Sequence, residues 1–119
     1  MDIPTLAKYL AKRKLTLTSA ESLTSGTFQS QLAATPQASQ IYPGGFITYA
    51  TTAKTKLLGV PAALIAKYGV VSPEVAKNMA QQACKIAGTD FALAFTGVAG
   101  PDKLEGVGRN GGDCLYRLS

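Results

Sequence analysis

The stretch GGFITYATTAK, from Gly44 to Lys54, puts a lysine in the first turn of what reads as a helix. A pair of glycines leads into the apolar run Phe46 to Tyr49, and Thr51 and Thr52 open the next element. The N–H groups at a helix start carry partial positive charge, which disfavours a cation there by a few tenths of a kcal/mol up to about 1 kcal/mol. Beside a buried sheet, the dipole and desolvation both weaken the ammonium form of Lys54 and turn the side chain toward a general base. A solvated lysine next to Lys56 is the plainer alternative. Tyr49 closes the strand, where a phenol orients a substrate or shares a proton, unless it is simply packed in the core.

In AESLTSG, Ala20 to Gly26, the hydroxyls of Ser22, Thr24 and Ser25 stand beside Gly26 where a helix should begin. Backbone N–H groups and hydroxyls in that arrangement suit a phosphate, and they equally suit ordinary helix capping. In TGVAGPD, Gly97 and Gly100 flank a tight loop after the apolar run FALAFT. Neither segment is a full dinucleotide or P-loop fingerprint. Ser39, in a long polar connection, reads by itself as a turn serine. The sequence contains no histidine. That excludes Ser-His-Asp and Cys-His catalysis and every histidine-containing metal site, so any nucleophilic serine needs lysine or tyrosine as its base.

These residues need a scaffold. Ile3, Leu6, Ala7, Leu10 and Ala11 recur at helical spacing ahead of the basic run Lys12, Arg13, Lys14. Leu15 to Ser19 alternates as a strand, a helix over 27–34 follows the polar loop, and the long connection TPQASQIYPGG leads to a strand over Phe46 to Tyr49. A short helix over 62–68 stops at Gly69, and Ser72 with Pro73 and Glu74 starts another that ends at Gly88. Val75, Met79, Ala83, Ile86 and Ala87 are its expected apolar face. Phe91 to Thr96 is continuous enough for a central strand covered on both faces. Strands alternating with helices predict an α/β fold with a mostly parallel sheet in a single domain over 1–119. Ligands of such folds gather beyond the carboxyl ends of the strands, where AESLTSG, YATTAK and TGVAGPD should converge.

Composition limits the rest. At 119 residues, 46% apolar and 16% charged, the chain can bury one core. No apolar run approaches the roughly 20 residues that cross a bilayer, and the N-terminal basic residues follow the apolar ones, so no membrane partner and a cytoplasmic location are expected. Cys84 and Cys114 suggest free thiols rather than a disulfide framework. Twelve Lys and Arg against seven Asp and Glu leave +5, with only Lys12 to Lys14 in a run. That run reads as a solvated helix end in preference to a nucleic-acid patch, which stays a further alternative, and the mild excess also suits a small anionic substrate.

Taken together, AESLTSG, GGFITYATTAK, LLGVP, YGVVSPEVAKNMA and FTGVAGPD resemble the CinA C-terminal domain family, whose members include the nicotinamide mononucleotide deamidases. The likeness runs over about residues 5 to 105 in one order with few gaps. It implies a three-layer α/β/α fold and hydrolysis of the carboxamide of nicotinamide mononucleotide to nicotinate mononucleotide and ammonia, with no metal and no cofactor, in a homo-oligomer. Carried over by motif, the nucleophilic serine falls on Ser39, its lysine on Lys54, the motif tyrosine on Tyr49 and the loop hydroxyl on Thr96. Glu21, Ser22, Thr24, Ser25, Gly26, Gly44, Gly45, Gly97 and Gly100 are the implied substrate-binding positions. The family also carries an association with competence and DNA damage, so a nucleotide-binding or regulatory module without turnover is the alternative.

The chain departs from the family pattern at Leu23 and Ser25, at Gln37 and Ala38, and above all after about Glu105. There the family continues into a closing strand and helix, which are expected to be missing here, leaving a shortened form expected to bind nicotinamide mononucleotide weakly and to turn it over little or not at all. The tail CLYRLS is expected to be that strand read one base out of frame: codons such as TGT-CTA-TAT-CGG-CTT would become GTC-TAT-ATC-GGC, or Val-Tyr-Ile-Gly. The glycines at 106, 108, 111 and 112 make a poor strand, so the tail is expected to add none.

Overall fold

The computed structural model describes residues 2–96, 103–106 and 116–118. In chain order the elements are α1 (Ile3–Arg13), β1 (Leu17–Glu21), α2 (Thr27–Ala33), α3 (Ala38–Ile41), β2 (Phe46–Ile47) and α4 (Thr51–Leu58). They continue with α5 (Ala62–Tyr68), α6 (Pro73–Ala87), β3 (Phe91–Thr96), β4 (Lys103–Gly106) and β5 (Tyr116–Leu118). The sheet order is β2-β1-β3-β5-β4. Every neighbouring pair is parallel except β4 with β5.

Alternation along β3 sorts the helices into two layers. Leu93 and Phe95, with Leu17 of β1, pack with Ala7 and Leu10 of α1, Leu32 of α2 and Ile41 of α3. Ala92 and Ala94, with Ala20 of β1, pack with Leu58 of α4 and with Val75, Met79, Ala80 and Ala83 of α6. The alanines on both partners let α6 lie close against the sheet. The result is an α/β/α sandwich, and among the described residues no helix is long and apolar enough to cross a membrane.

Local chemistry explains where the helices start and stop. Asp2 accepts from Thr5 N at 2.8 Å to begin α1, and Lys14 in a left-handed conformation ends it. Ser72 accepts from Val75 N at 3.2 Å, Pro73 opens α6, and Gly88 at φ 70 closes it. The buried stripe of α6 is Val75, Ala76, Met79, Ala80, Ala83 and Cys84, so the expected face is corrected at its end: Ile86 is 55% exposed. Its stripe outlasts the surface it packs on.

The first strand runs two residues later than the alternation of Leu15 to Ser19 predicts. Thr16 N and Thr16 Oγ1 donate to Asp90 Oδ2 at 2.9 and 3.1 Å, and Asp90 N donates back to Thr16 Oγ1 at 3.1 Å. This latch sets the register, pairing Leu17 with Phe91 and Glu21 with Phe95. All five residues of β1 are buried, and a strand covered on both faces shows no alternation to read. Glu21 therefore belongs to the strand and not to the loop. The strand at Phe46 is also shorter than expected, ending at Ile47, and the connection before it holds the unforeseen α3.

The tail corrects a larger expectation. Tyr116–Leu118 pairs parallel with β3, and Lys103–Gly106 pairs antiparallel with it in turn. The segment supplies a strand where none was expected. Ladder hydrogen bonds are made by backbone groups, and the open flank of β3 offers them whatever the local propensity.

Candidate active site

The carboxyl ends of β1, β2 and β3 bring together Ser22, Tyr49, Lys54 and Thr96. These four, with Leu23, Thr51, Val70 and Val71, line a cavity of about 200 Å³. Of the segments expected to converge, AESLTSG, YATTAK and TGVAGPD, the first two meet here with Thr96, the first residue of the third, and the rest of TGVAGPD lies outside the described residues. Gly97 and Gly100 lie outside the described residues.

Lys54 is the centre of the site. It is 1% exposed, in the first turn of α4. Its Nζ donates to Ser22 Oγ at 2.9 Å, to Thr48 O at 2.8 Å and to Tyr49 O at 3.3 Å. Burial pushes its pKa below the ordinary lysine value, because the ammonium form loses its hydration. α4 begins without a side-chain cap, as Ala50 precedes it. The solvated lysine foreseen as the plain alternative is thus not what the fold makes.

Ser22 follows β1 directly. Its N–H donates to Phe95 O at 2.9 Å, extending the β1–β3 ladder by one bond, and its Oγ lies 3.4 Å from Tyr49 O. Tyr49 is 65% exposed at the cavity mouth, not packed in the core. Thr96, 1% exposed, donates from Oγ1 to Val70 O at 3.2 Å and so draws the segment between α5 and α6 over the cavity.

The remaining loop residues serve another centre. Glu21 is fully buried, and its Oε1 accepts from Thr24 Oγ1 at 2.7 Å, Gly26 N at 2.9 Å and Phe28 N at 3.1 Å, while Oε2 accepts from Gln29 N at 2.7 Å. The amides at the start of α2, the foreseen phosphate cradle, are already engaged by this carboxylate. Ser25 and Gly26 take positive φ, 48° and 100°, and an added Cβ on Gly26 would lie 3.0 Å from Ile47 Cδ1. Gly44 and Gly45 lead into β2 away from the cavity lining, and Gly45 leaves room for Gln29, whose Nε2 donates to Phe46 O at 2.7 Å. Ser39 is exposed on α3, which packs on α1 and α2, the layer opposite α4. Within the chain, Lys54 meets Ser22 rather than Ser39.

Sequence reasoning missed the Ser22–Lys54 pairing, the Val70–Val71 segment and Gln29. The pairing had a legible signal, since Ser22 and Lys54 both follow strands that neighbour each other. Nothing local marks Gln29 or Val70.

Comparison with known proteins agrees with this architecture. A family model described as the CinA C-terminal domain matches residues 3–111. A competence-damage inducible protein from Levilactobacillus brevis is 57% identical over 97 residues, which is 82% of this chain and 23% of that protein. One from Limosilactobacillus reuteri is 53% identical over 109 residues, 88% of this chain and 26% of that protein. The chain thus spans about a quarter of the length of these relatives. Among solved structures, a CinA superfamily protein from Klebsiella pneumoniae superposes with a TM-score of 0.80 at 33% identity, covering 83% of this chain and 62% of that one. One from Escherichia coli gives 0.75 at 36% identity, covering 77% and 54%.

Proposed function

Since this chain belongs to the CinA C-terminal domain family, we propose that it is an amidohydrolase that converts nicotinamide mononucleotide to nicotinate mononucleotide and ammonia. One observation carries the reading: the buried Lys54 Nζ stands 2.9 Å from Ser22 Oγ with two backbone carbonyls as its other partners. A neutral amine has two N–H bonds for those carbonyls and a lone pair for the serine proton.

In the proposed reaction Lys54 takes the Ser22 proton as Oγ attacks the carboxamide carbon, forming an oxyanion that nearby donors hold. The C–N bond then breaks, the proton passes from Lys54 to the leaving nitrogen, and ammonia departs. Water, deprotonated by Lys54, attacks the acyl-serine, the proton returns to Ser22 as the C–O bond to the serine breaks, and the released acid gives its remaining proton to solvent or to the ammonia to become nicotinate. A cavity of about 200 Å³ is smaller than the 300–1,000 Å³ typical of sites enclosing a whole ligand, so it suits the carboxamide-bearing ring with the sugar and phosphate outside. Tyr49 at the mouth is placed to contact that ring, and Thr96 lines the same cavity. Cytoplasmic pyridine nucleotide salvage in a homo-oligomer is the setting that fits.

Ammonia release from nicotinamide mononucleotide tests the reading, with Ser22→Ala, Lys54→Ala and Ser39→Ala compared side by side. Loss of activity in the first two supports it. Loss in Ser39→Ala with Ser22→Ala active moves the nucleophile to α3. Nucleotide binding without ammonia release in the unsubstituted chain points instead to a regulatory module.

A further inference from the structure

We propose that Glu21 is a positioning residue whose carboxylate and backbone carbonyl together hold Ser22 and Lys54 at bonding distance. The inference rests on the Ser22–Lys54 reading above.

Glu21 immediately precedes Ser22 and is connected to both halves of the pair. Its carboxylate gathers Thr24 Oγ1 and the amides of Gly26, Phe28 and Gln29, and so fixes the loop that leaves Ser22. That loop passes through Ser25 and Gly26 at positive φ, a course that needs holding. The backbone carbonyl of Glu21 accepts from Thr48 N at 2.8 Å, and the carbonyl of Thr48 in turn accepts from Lys54 Nζ at 2.8 Å. One residue thus ties the serine's loop to α2 and the lysine's anchor to β1.

The chemistry of the side chain is specific. All four groups on Glu21 are donors, and an ionised carboxylate is the acceptor-only group that satisfies them. A glutamine of the same shape aims an amide NH₂ at N–H groups. With both oxygens engaged and no exposure, Glu21 does not reach the cavity, and it is absent from the cavity lining. It acts through Ser22 and Lys54.

The test uses the 119-residue chain with Glu21→Gln and, as a milder change that removes one of the four bonds, Thr24→Val. Two readouts are combined with thermal stability. The first is acetylation of each lysine by acetic anhydride across pH, read by peptide mass spectrometry, with the exposed Lys12 and Lys14 as internal standards. The second is kcat and KM for nicotinamide mononucleotide. The expected result is a Lys54 midpoint that moves up toward the ordinary lysine value as water enters. With it kcat falls by about 10- to 100-fold in Glu21→Gln, the scale of a misplaced catalytic group, with KM little changed. Thr24→Val moves both readouts in the same direction by a smaller amount.

A lower melting temperature with the Lys54 profile and kcat unchanged would reduce Glu21 to a helix cap and overturn the proposal. A raised KM with kcat kept would make it a substrate contact and overturn it equally. If Glu21→Gln does not fold, Thr24→Val decides by the same criteria. If the unsubstituted chain releases no ammonia, the substrate assignment fails, and the acetylation profile still decides the positioning role.

Discussion

Two buried charges flank Ser22, and the fold treats them differently. Glu21, 0% exposed, is surrounded by four donors that only an ionised carboxylate satisfies. Lys54, 1% exposed, meets two carbonyls and one hydroxyl. The carbonyls accept in every state, but a hydroxyl accepts from an ammonium and donates to an amine, so the partner set of Lys54 fits both protonation states. Burial alone therefore does not make a base. A charge held by matched partners is fixed in place, whereas one with a reversible partner can exchange its proton without losing its contacts.

The sharpest break in that contrast is at the pair itself. Ser22→Ala and Lys54→Ala should each lower ammonia release by about a thousandfold, and the double substitution should be little worse, because a nucleophile and its base act as one unit. Independent, multiplying losses would show that the two do not work together.

At Glu21 a loss of stability should accompany the fall in turnover. Glu21→Ala leaves the donors at the start of α2 unsatisfied and opens a void, at a cost of about 2–4 kcal/mol in urea unfolding. A loss under about 1 kcal/mol would mean that water replaces the carboxylate and that the contrast is overstated.

The pH response should separate the two charges next. Because the folded-state pKa of Lys54 is lowered from the ordinary 10.5, the folded protein binds fewer protons than the unfolded chain between those two values. Stability from this group should accordingly rise with pH across that window, and the slope should vanish in Lys54→Met. Turnover should climb about tenfold per pH unit below the folded-state pKa, as a deprotonated base requires, and level off before pH 10.5. A plateau reached only above that value would remove the effect of burial.

The smallest effect concerns the support of β2. A Cβ on Gly45 would lie 2.6 Å from Gln29 Cδ, so Gly45→Ala should displace that side chain from Phe46 O and cost about 1 kcal/mol. A melting temperature equal to that of the unsubstituted protein would show that Gln29 finds another acceptor.

Some of this was legible in the chain. Ser72, Pro73 and Gly88 bound α6 as their types require, and FALAFT is the central strand its continuous apolar run describes. Lys54 stood out because a cation at a helix start is locally unfavourable, and the absence of histidine limited what its partner chemistry could be. Ile86 failed because periodicity identifies a stripe and not the length of surface that covers it. The strand at Tyr116–Leu118 failed because its partner, the open flank of β3, lies about twenty residues away in sequence.

What the sequence determined by itself was local: most of the helices, the central strand, the caps of α6, the layered α/β class and the residue types available for a serine and lysine reaction. Which serine meets Lys54 was decided by tertiary structure. Ser22 and Ser39 differ little as residues in polar stretches, and the parallel pairing of β1 with β2 sets Ser22 beside α4 while α3 packs on the other layer. The same holds for Glu21, which local alternation assigned to a loop. Its place inside β1 follows from the latch between Thr16 and Asp90, residues 74 positions apart, because register is fixed by hydrogen bonds across the sheet and not by the propensity of either strand.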